Sequence, residues 1–212
     1  MTIVGAKEDI LSRVRVALQG DAPVTDIPRD YRQSGTMNQE QLIDHLTDRL
    51  VDYKAEVKVV LATDLQGAIA EFLANARSVV VPHGLDAQWI AGVADADVVT
   101  DSSEAPVPVD QLNATDAVLT SSAVSVAESG TIILDGTPTQ GRRAISLVPD
   151  QHVCVVPAST IVEILPEALP RLQPSHPQTW ISGPSATSDI ELERVEGVHG
   201  PRRLSVIIVE DA

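Results

Sequence analysis

The chain has 212 residues, enough for one domain with a sizeable core and a short appendage. Its formal net charge of −15 argues against nucleic acid and against anionic membranes as partners, because both attract clustered Lys and Arg. Aromatic residues make up only 2% of the chain, so we expect an aliphatic core rich in buried, valine-containing strands.

The beginning of the sequence lacks the basic segment followed by a long apolar segment that is typical of a signal peptide. No apolar run approaches the length of about 18 residues that a transmembrane helix needs. We therefore expect a cytoplasmic protein.

Two helices are predicted in the first quarter of the chain. Apolar residues at helical spacing indicate a helix over residues 7–18, and Asn38 can cap a second helix that reaches about Tyr53. Residues 20–36 between them are rich in Gly, Asp, Pro and Arg and read as a linker. We therefore predict an N-terminal helix and linker over residues 1–37 and an α/β domain over residues 38–212.

From residue 56 the pattern alternates between strands and helices. Apolar runs predict strands at 57–62, 78–81 and 97–100. Between them lie a helix capped by Thr63 and a short helix that contains Trp89. This rhythm predicts a mainly parallel sheet covered by helices on both faces.

After residue 116 the rhythm changes, because short strand-like runs follow one another without helices. We expect hairpins or a mixed extension of the sheet from the runs at 117–120, 130–134, 145–148 and 152–156. The remaining predictions are a helix from Ser159 or Thr160 to Leu172 broken at Pro166, a strand at 178–181, a helix at 189–195 and a strand at 204–209.

Residues 136–143 imitate the glycine spacing of a phosphate-binding loop. Arg142 and Arg143 replace the Lys and the Ser or Thr of that motif, so no hydroxyl is available for magnesium. Two interpretations remain: a mobile surface loop, or a pair of guanidinium groups that clamps a carboxylate or phosphate.

Residues 181–191 read as a strand end, a tight loop and a helix start. Gly183 and Pro184 stop the strand, and Ser188 with Glu191 forms a capping-box pattern. Such a junction gathers backbone N–H groups and hydroxyls, including that of Ser185, where an anion can bind. The alternative is a well-capped turn that carries no ligand.

Two further residues are candidates for a site. His199 lies between glycines at 197 and 200, which suggests a tight backbone passage. Glu128 precedes a buried strand and could be a nucleophile or general base, or only a solvated turn residue.

The sequence offers no ligand set for a resident cofactor. The five histidines are not spaced as metal ligands, and there is no glycine fingerprint for a dinucleotide. Cys154, the only cysteine, lies in an apolar run and is expected to be a buried, inert thiol. A single cysteine cannot hold an iron–sulfur cluster, which usually needs four thiolates.

Several stretches together resemble the LUD domain of the lactate-utilization protein C family. The resemblance runs in order from about residue 40 to the C-terminus, and it is carried by 126–134, 146–149 with His152, 183–191 and 197–201. This chain has Ser129 where the family commonly has Thr, and Ser188 where Ala is common.

The resemblance implies a cytoplasmic protein of a bacterial system that oxidises L-lactate to pyruvate, working beside two partner proteins that carry iron–sulfur clusters. It also implies a fold similar to the NagB/RpiA/CoA transferase-like fold. Glu128-Ser129-Gly130 resembles the nucleophile loop of some CoA transferases, although kinship of fold alone does not transfer chemistry.

The preferred hypothesis is a subunit of that system without its own redox centre, because lactate oxidation needs an electron carrier that this chain does not offer. The alternatives are an independent CoA transferase-like enzyme with Glu128 as nucleophile, or a protein that binds a small carboxylate or phosphate-type anion. The candidate anion-binding residues are Gly183, Ser185, Thr187, Asp189, His199, Arg142 and Arg143.

Overall fold

The structure, a computed structural model, describes residues 3–20, 26–93, 96–187, 195–196 and 199–212. The chain divides into two compact units, residues 1–31 and 32–212. The first unit contains helix α1, Ile3–Ala17, where the sequence predicted a helix over 7–18. No helix in the described parts of the chain is long and apolar enough to cross a membrane.

Helix α2, Gln39–Asp52, begins the second unit at the predicted cap. The Asn38 side chain accepts a hydrogen bond from the Gln41 backbone N–H, and the Gln41 side chain accepts one from the Asn38 N–H. This reciprocal capping box satisfies two N–H groups that a helix start leaves unpaired. The buried face of α2 carries Ile43, Leu46 and Leu50.

Twelve strands follow among the described residues of this unit. They are β1 Glu56–Val60, β2 Ser78–Pro82, β3 Asp97–Asp101, β4 Ala117–Ser121, β5 Val124–Val126, β6 Thr131–Leu134, β7 Gln151–Pro157, β8 Ile161–Val162, β9 Thr179–Ile181, β10 Ala186–Thr187, β11 Val195–Glu196 and β12 Arg203–Val209.

The main sheet has six strands in the order β1–β12–β7–β4–β2–β3, and every neighbouring pair is parallel. Alternate residues of β7 point to opposite faces. Val153 and Val155 belong to a buried cluster that also contains Ile69, whereas Cys154 and Val156 belong to a cluster that contains Leu46. Helices therefore cover both faces, which confirms the predicted parallel α/β sheet.

Three helices lie between the strands of the main sheet: α3 Leu65–Phe72, α4 Ala87–Ile90 and α5 Val109–Asn113. The prediction that Thr63 caps α3 is wrong. Thr63 lies inside a 3₁₀ turn, Ala62–Asp64, and Asp64 occupies the N-cap position without a side-chain hydrogen bond. Helix α5 was not predicted from the sequence, because its five residues are too few to show helical periodicity.

A second sheet has the order β8–β5–β6–β9. Strands β5 and β6 form an antiparallel hairpin, β6 pairs antiparallel with β9, and β5 pairs parallel with β8. The predicted hairpin is found for the run at 130–134, whereas the runs at 117–120 and 152–156 are β4 and β7 of the main parallel sheet.

The strand predicted at 145–148 is wrong, because this segment is a turn. The N–H groups of Leu147 and Val148 both donate to the carbonyl of Ala144. Ile145 is fully buried in the turn. Periodicity alone cannot distinguish so short an apolar run from a strand.

The helix predicted from Ser159 or Thr160 to Leu172 is also wrong. The segment consists of a 3₁₀ turn, strand β8, the short helix α6 at Leu165–Ala168 and a second 3₁₀ turn. Pro166 lies in the first turn of α6, where its missing N–H costs little. The β-branched Ile161 and Val162 pair with β5 instead of continuing a helix.

The helix predicted at 189–195 falls mostly outside the described residues. Its last residue, Val195, lies in β11, which pairs antiparallel with β10. The predicted strands at 178–181 and 204–209 correspond to β9 and β12.

Residues 32–38, which we call the strap, are attached to the second sheet by two glutamates. Glu163 Oε2 accepts the N–H groups of Thr36 and Met37, and Glu167 Oε1 accepts the N–H of Gly35 at 2.9 Å. A Cβ added at Gly35 would lie 2.5 Å from the Glu163 Cβ, so only glycine fits this approach. The backbone hydrogen bonds from Met37 and Thr36 hold the pKa of Glu163 below its usual value.

We predict that Glu163→Gln lowers the free energy of unfolding at pH 7, because charge-assisted hydrogen bonds to the strap are lost. Because the pKa of Glu163 is lower in the folded than in the unfolded state, its ionised carboxylate stabilises the fold at pH values above the unfolded pKa of 4.5. This stabilisation is lost as the pH falls through the lower pKa of the folded state. The difference in urea stability between wild type and variant should therefore shrink in acid. The exposed Glu104→Gln is the control, and a difference independent of pH would contradict the prediction.

Candidate functional site

The candidate site residues lie in several places of the described structure. Gly183, Ser185 and His199 line one cavity, and Arg142 lines another at the carboxyl ends of β2 and β3. Glu128 lies in the turn between β5 and β6. Arg143 is exposed, Thr187 belongs to β10, and Asp189 lies outside the described residues.

The first cavity, which we call the Gly183–His199 cavity, has a volume of about 250 Å³. It lies at the amino ends of β7 and β12, where residues of two loops and of β9 close over the main sheet. Its lining consists of Ser146, Leu147, His152, Thr179, Trp180, Ile181, Ser182, Gly183, Pro184, Ser185, His199, Gly200, Pro201 and Leu204.

Two hydrogen bonds hold the two loops of this cavity together. The His199 N–H donates to Ser185 Oγ at 3.0 Å, and the Ser185 N–H donates to the Pro201 carbonyl at 2.8 Å. Gly183 has a φ of 87°, and a Cβ there would lie 2.6 Å from the Cβ of Tyr53 on the C-cap of α2. The close contact between Gly183 and the end of α2 therefore fixes the position of the Gly183 loop.

His152 also lines the cavity, although the sequence did not predict it as a site residue. It is the second residue of β7 and is only 1% exposed. Its Nε2 lies 2.8 Å from Thr120 Oγ1, whereas Nδ1 has no hydrogen-bond partner among the described residues. Burial lowers the pKa of His152 to about 4, so the imidazole is neutral near pH 7.

A signal for His152 was present in the sequence. A histidine at the start of the apolar run 153–156 has to be buried with the strand, and a buried polar group is costly unless it finds partners. In the same run, burial raises the pKa of the Cys154 thiol to about 12. Cys154 is therefore the buried thiol that the sequence predicted.

Arg142 binds a carboxylate of the chain itself. Its Nε donates to Asp101 Oδ2 at 3.0 Å, and its Nη2 donates to Asp101 Oδ1 at 2.5 Å. Asp101 is fully buried and also accepts the Val107 N–H at 2.9 Å. These bonds with Asp101 raise the pKa of Arg142. The structure therefore places Arg142 and the exposed Arg143 in different surroundings, and anion binding by the pair stays a prediction.

Glu128 forms an ion pair with the strap. Its Oε1 lies 2.7 Å from Arg32 Nη2, and Arg32 Nη1 lies 3.1 Å from Glu163 Oε1. The Glu128 side chain is 59% exposed, which leaves it accessible to solvent beside its partner. Its role as a nucleophile stays a prediction.

A row of hydroxyls connects the turn that contains Glu128 with the Gly183 loop. Ser129 Oγ and Thr131 Oγ1 are 2.8 Å apart, and Thr131 Oγ1 and Ser182 Oγ are also 2.8 Å apart. Ser182 lines the Gly183–His199 cavity. The two regions are therefore neighbours, although Glu128 is not part of the cavity lining.

The cavity suits a small ligand with a polar group and a short apolar part. Leu147, Ile181 and Leu204 form apolar wall, while Ser185 and two histidines supply polar atoms. Pockets for drug-sized ligands measure roughly 300–1,000 Å³. At about 250 Å³ this cavity lies just below that range. Among the described residues, no cluster of three or more His, Cys, Asp or Glu could hold a metal ion.

Comparison with known proteins gives a consistent result. The family model of the LUD domain matches residues 38–209. The chain is 45% identical over 208 residues to lactate utilization protein C of Deinococcus radiodurans, covering 96% of this chain and 95% of that protein. It is 29% identical over 186 residues to lactate utilization protein C of Halalkalibacterium halodurans, covering 81% and 80%.

A solved structure shares the fold. The crystal structure of a DUF162 family protein from Deinococcus radiodurans superimposes with a TM-score of 0.71 at 40% sequence identity. The match covers 82% of this chain and 99% of the other. The α/β architecture is thus common to both proteins.

We predict that Arg142→Ala destabilises the fold by about 3 kcal/mol, because it leaves the buried Asp101 carboxylate without its cation. Arg143→Ala is the matched control and should change stability by less than about 0.5 kcal/mol. In an Asp101→Asn background, Arg142→Ala should cost much less, since the buried charge is gone. Equal losses for the two arginines in urea denaturation would contradict this assignment.

Proposed function

Because the chain belongs to the LUD domain family, we propose that it serves a bacterial L-lactate utilization system as a component without its own redox centre. Relatives named lactate utilization protein C, one of them 45% identical over 208 residues, support this role. The observation that carries the proposal is the Gly183–His199 cavity, whose lining combines hydroxyl and imidazole groups with an apolar wall.

The ligand of this cavity, in our proposal, is a small carboxylate of the lactate and pyruvate class. The Ser185 hydroxyl accepts one hydrogen bond and still carries a proton to donate to a carboxylate oxygen. The His199 side chain belongs to the same lining and offers a second donor. The methyl group of the ligand would then lie against Leu147, Ile181 and Leu204.

The proposal assigns electron transfer to partner proteins that carry iron–sulfur clusters. Oxidation of lactate to pyruvate releases two electrons, and a cluster usually needs four thiolates. This chain has one cysteine, Cys154, which is buried in β7. The contribution of the chain is therefore to bind the substrate or product and to assemble with those partners.

We predict that L-lactate or pyruvate raises the thermal stability of the protein, because a ligand that binds only the folded state stabilises it by about 2.7 kcal/mol at 100 times its Kd. Ser185→Ala and His199→Gln should each weaken binding about 10-fold through the loss of a hydrogen bond. His176→Gln, at an exposed histidine away from the cavity, is the control. Melting curves unchanged by lactate, pyruvate or phosphate would contradict ligand binding here.

A second prediction concerns electron transfer. Lactate-dependent reduction of a dye should be absent with this chain alone and fastest when the chain is combined with the iron–sulfur partner proteins. The reason is that the redox centre lies on the partners. Dye reduction by the isolated chain would overturn the assignment as a non-redox component. Equal rates with and without this chain would overturn its role in the system.

A further inference from the structure

A second cavity, which we call the His83–Arg142 cavity, opens at the carboxyl ends of β2 and β3. One guanidinium, one imidazole and three hydroxyls form its polar lining, and they belong to Arg142, His83, Ser102, Ser103 and Thr137. The rest of the lining is two glycines and a proline. Although the chain has 30 Asp and Glu residues, none of the described residues that line this cavity is acidic. The lining therefore offers hydrogen-bond donors without a carboxylate beside them.

The order of the strands places this cavity beside a reversal of chain direction in the main sheet. The chain that leaves β2 runs to β3 on one side, whereas the chain that leaves β4 continues, after the hairpin of the second sheet, to β7 on the other side. Open α/β sheets bind ligands outside the carboxyl ends of their strands at such a reversal. The topology of the sheet therefore favours a ligand at this position.

Residues 136–142 form one side of the cavity and are attached to the ends of two strands. The Gly84 N–H, just after β2, donates to the Pro138 carbonyl at 3.0 Å. The Ser121 N–H, at the end of β4, donates to the Thr139 carbonyl at 3.1 Å. This segment is thus held by the rigid sheet on both sides of the reversal.

Asp101 orients Arg142 and leaves part of its guanidinium free. Nε and Nη2 donate to the Asp101 carboxylate, and Nη2 also donates to the Val107 carbonyl at 3.1 Å. Nη1 has no hydrogen-bond partner among the described residues, and it is not one of the buried atoms left without a partner. Because the Arg142 side chain is 33% exposed, the N–H groups of Nη1 are accessible donors on a group whose orientation is already set.

We propose that the His83–Arg142 cavity binds a tetrahedral oxyanion of the phosphate class, either free phosphate or the phosphate group of an organic ester. A planar carboxylate matches the two-nitrogen edge of a guanidinium, and in Arg142 the edge formed by Nε and Nη2 already binds Asp101. The remaining nitrogen, with hydroxyls and an imidazole from separate segments of the chain, suits an anion whose acceptor oxygens point in several directions. The bond from the charged Nη1 is the strongest of these.

The test is NMR titration of the ¹⁵N-labelled full chain with inorganic phosphate, glycerol 3-phosphate and acetate. Both phosphates should shift the backbone resonances of Gly136 and Gly141 more than that of Gly183, at concentrations up to about 10 mM, which exceed the roughly 1 mM Kd of a weak site. Acetate should bind about 10-fold more weakly, because it makes fewer hydrogen bonds. Equal affinities for the two phosphates would identify the free anion as sufficient, and tighter binding of the ester would identify an organic phosphate.

The variants separate a defined site from general attraction to positive charge. Arg142→Lys keeps the positive charge beside Asp101 and removes Nη1, so phosphate should bind about 10-fold more weakly. Arg143→Ala is the control, because Arg143 is exposed and does not line the cavity, and it should change the affinity by less than about 2-fold. His83→Ala, at an exposed residue of the lining, should weaken binding about 5-fold and serves if Arg142→Lys fails to fold.

Three results would overturn the proposal. The first is the absence of shifts at Gly136 and Gly141 with either phosphate. The second is binding of acetate as tight as that of phosphate, which would contradict a tetrahedral ligand. The third is an equal loss of affinity in Arg142→Lys and Arg143→Ala, which would show a diffuse electrostatic effect. Because the readout is the resonances of this cavity, none of these results depends on whether the Gly183–His199 cavity binds lactate or pyruvate.

Discussion

Strand β7 lies between β12 and β4, so its backbone is hydrogen-bonded on both edges and its side chains are buried on both faces. Every polar atom on this strand therefore needs a partner inside the protein. Gln151 finds one in the Phe72 carbonyl at 2.9 Å, and His152 finds one in Thr120. His152 Nδ1 is an exception to this constraint, because it has no hydrogen-bond partner among the residues that the structure describes.

Helix α2 connects the loops that surround the candidate site. Gly130 and Gly183 both have positive φ, and a Cβ at either would lie within 2.7 Å of a side-chain atom at the end of this helix, Arg49 or Tyr53. The strap that leads into α2 is fastened by Glu163, which also reaches Glu128 through Arg32. The capped helix α2 and the ion pairs of Arg32 with Glu128 and Glu163 thereby determine the positions of the Glu128 turn and the Gly183 loop.

The sequence predicted those parts of the fold whose signals are local. The capping box at Asn38 and the buried strands at 78–81 and 204–209 depend on a few neighbouring residues, and they are where the patterns placed them. The predictions for residues 145–148 and 160–172 are wrong because an apolar run alone does not determine whether a turn, strand or helix forms. The conformation of such a run depends on the distant residues that pack against it.

The site was less accessible to prediction because its contacts join distant residues. The sequence suggested that Arg142 could be available to bind an anion. In the structure it is paired with Asp101, which is 41 positions away in the chain and fully buried. With that charge already paired, the side-chain polar groups that line the Gly183–His199 cavity are hydroxyls and imidazoles, and the sequence could not show this separation because it depends on the distant contact between Arg142 and Asp101.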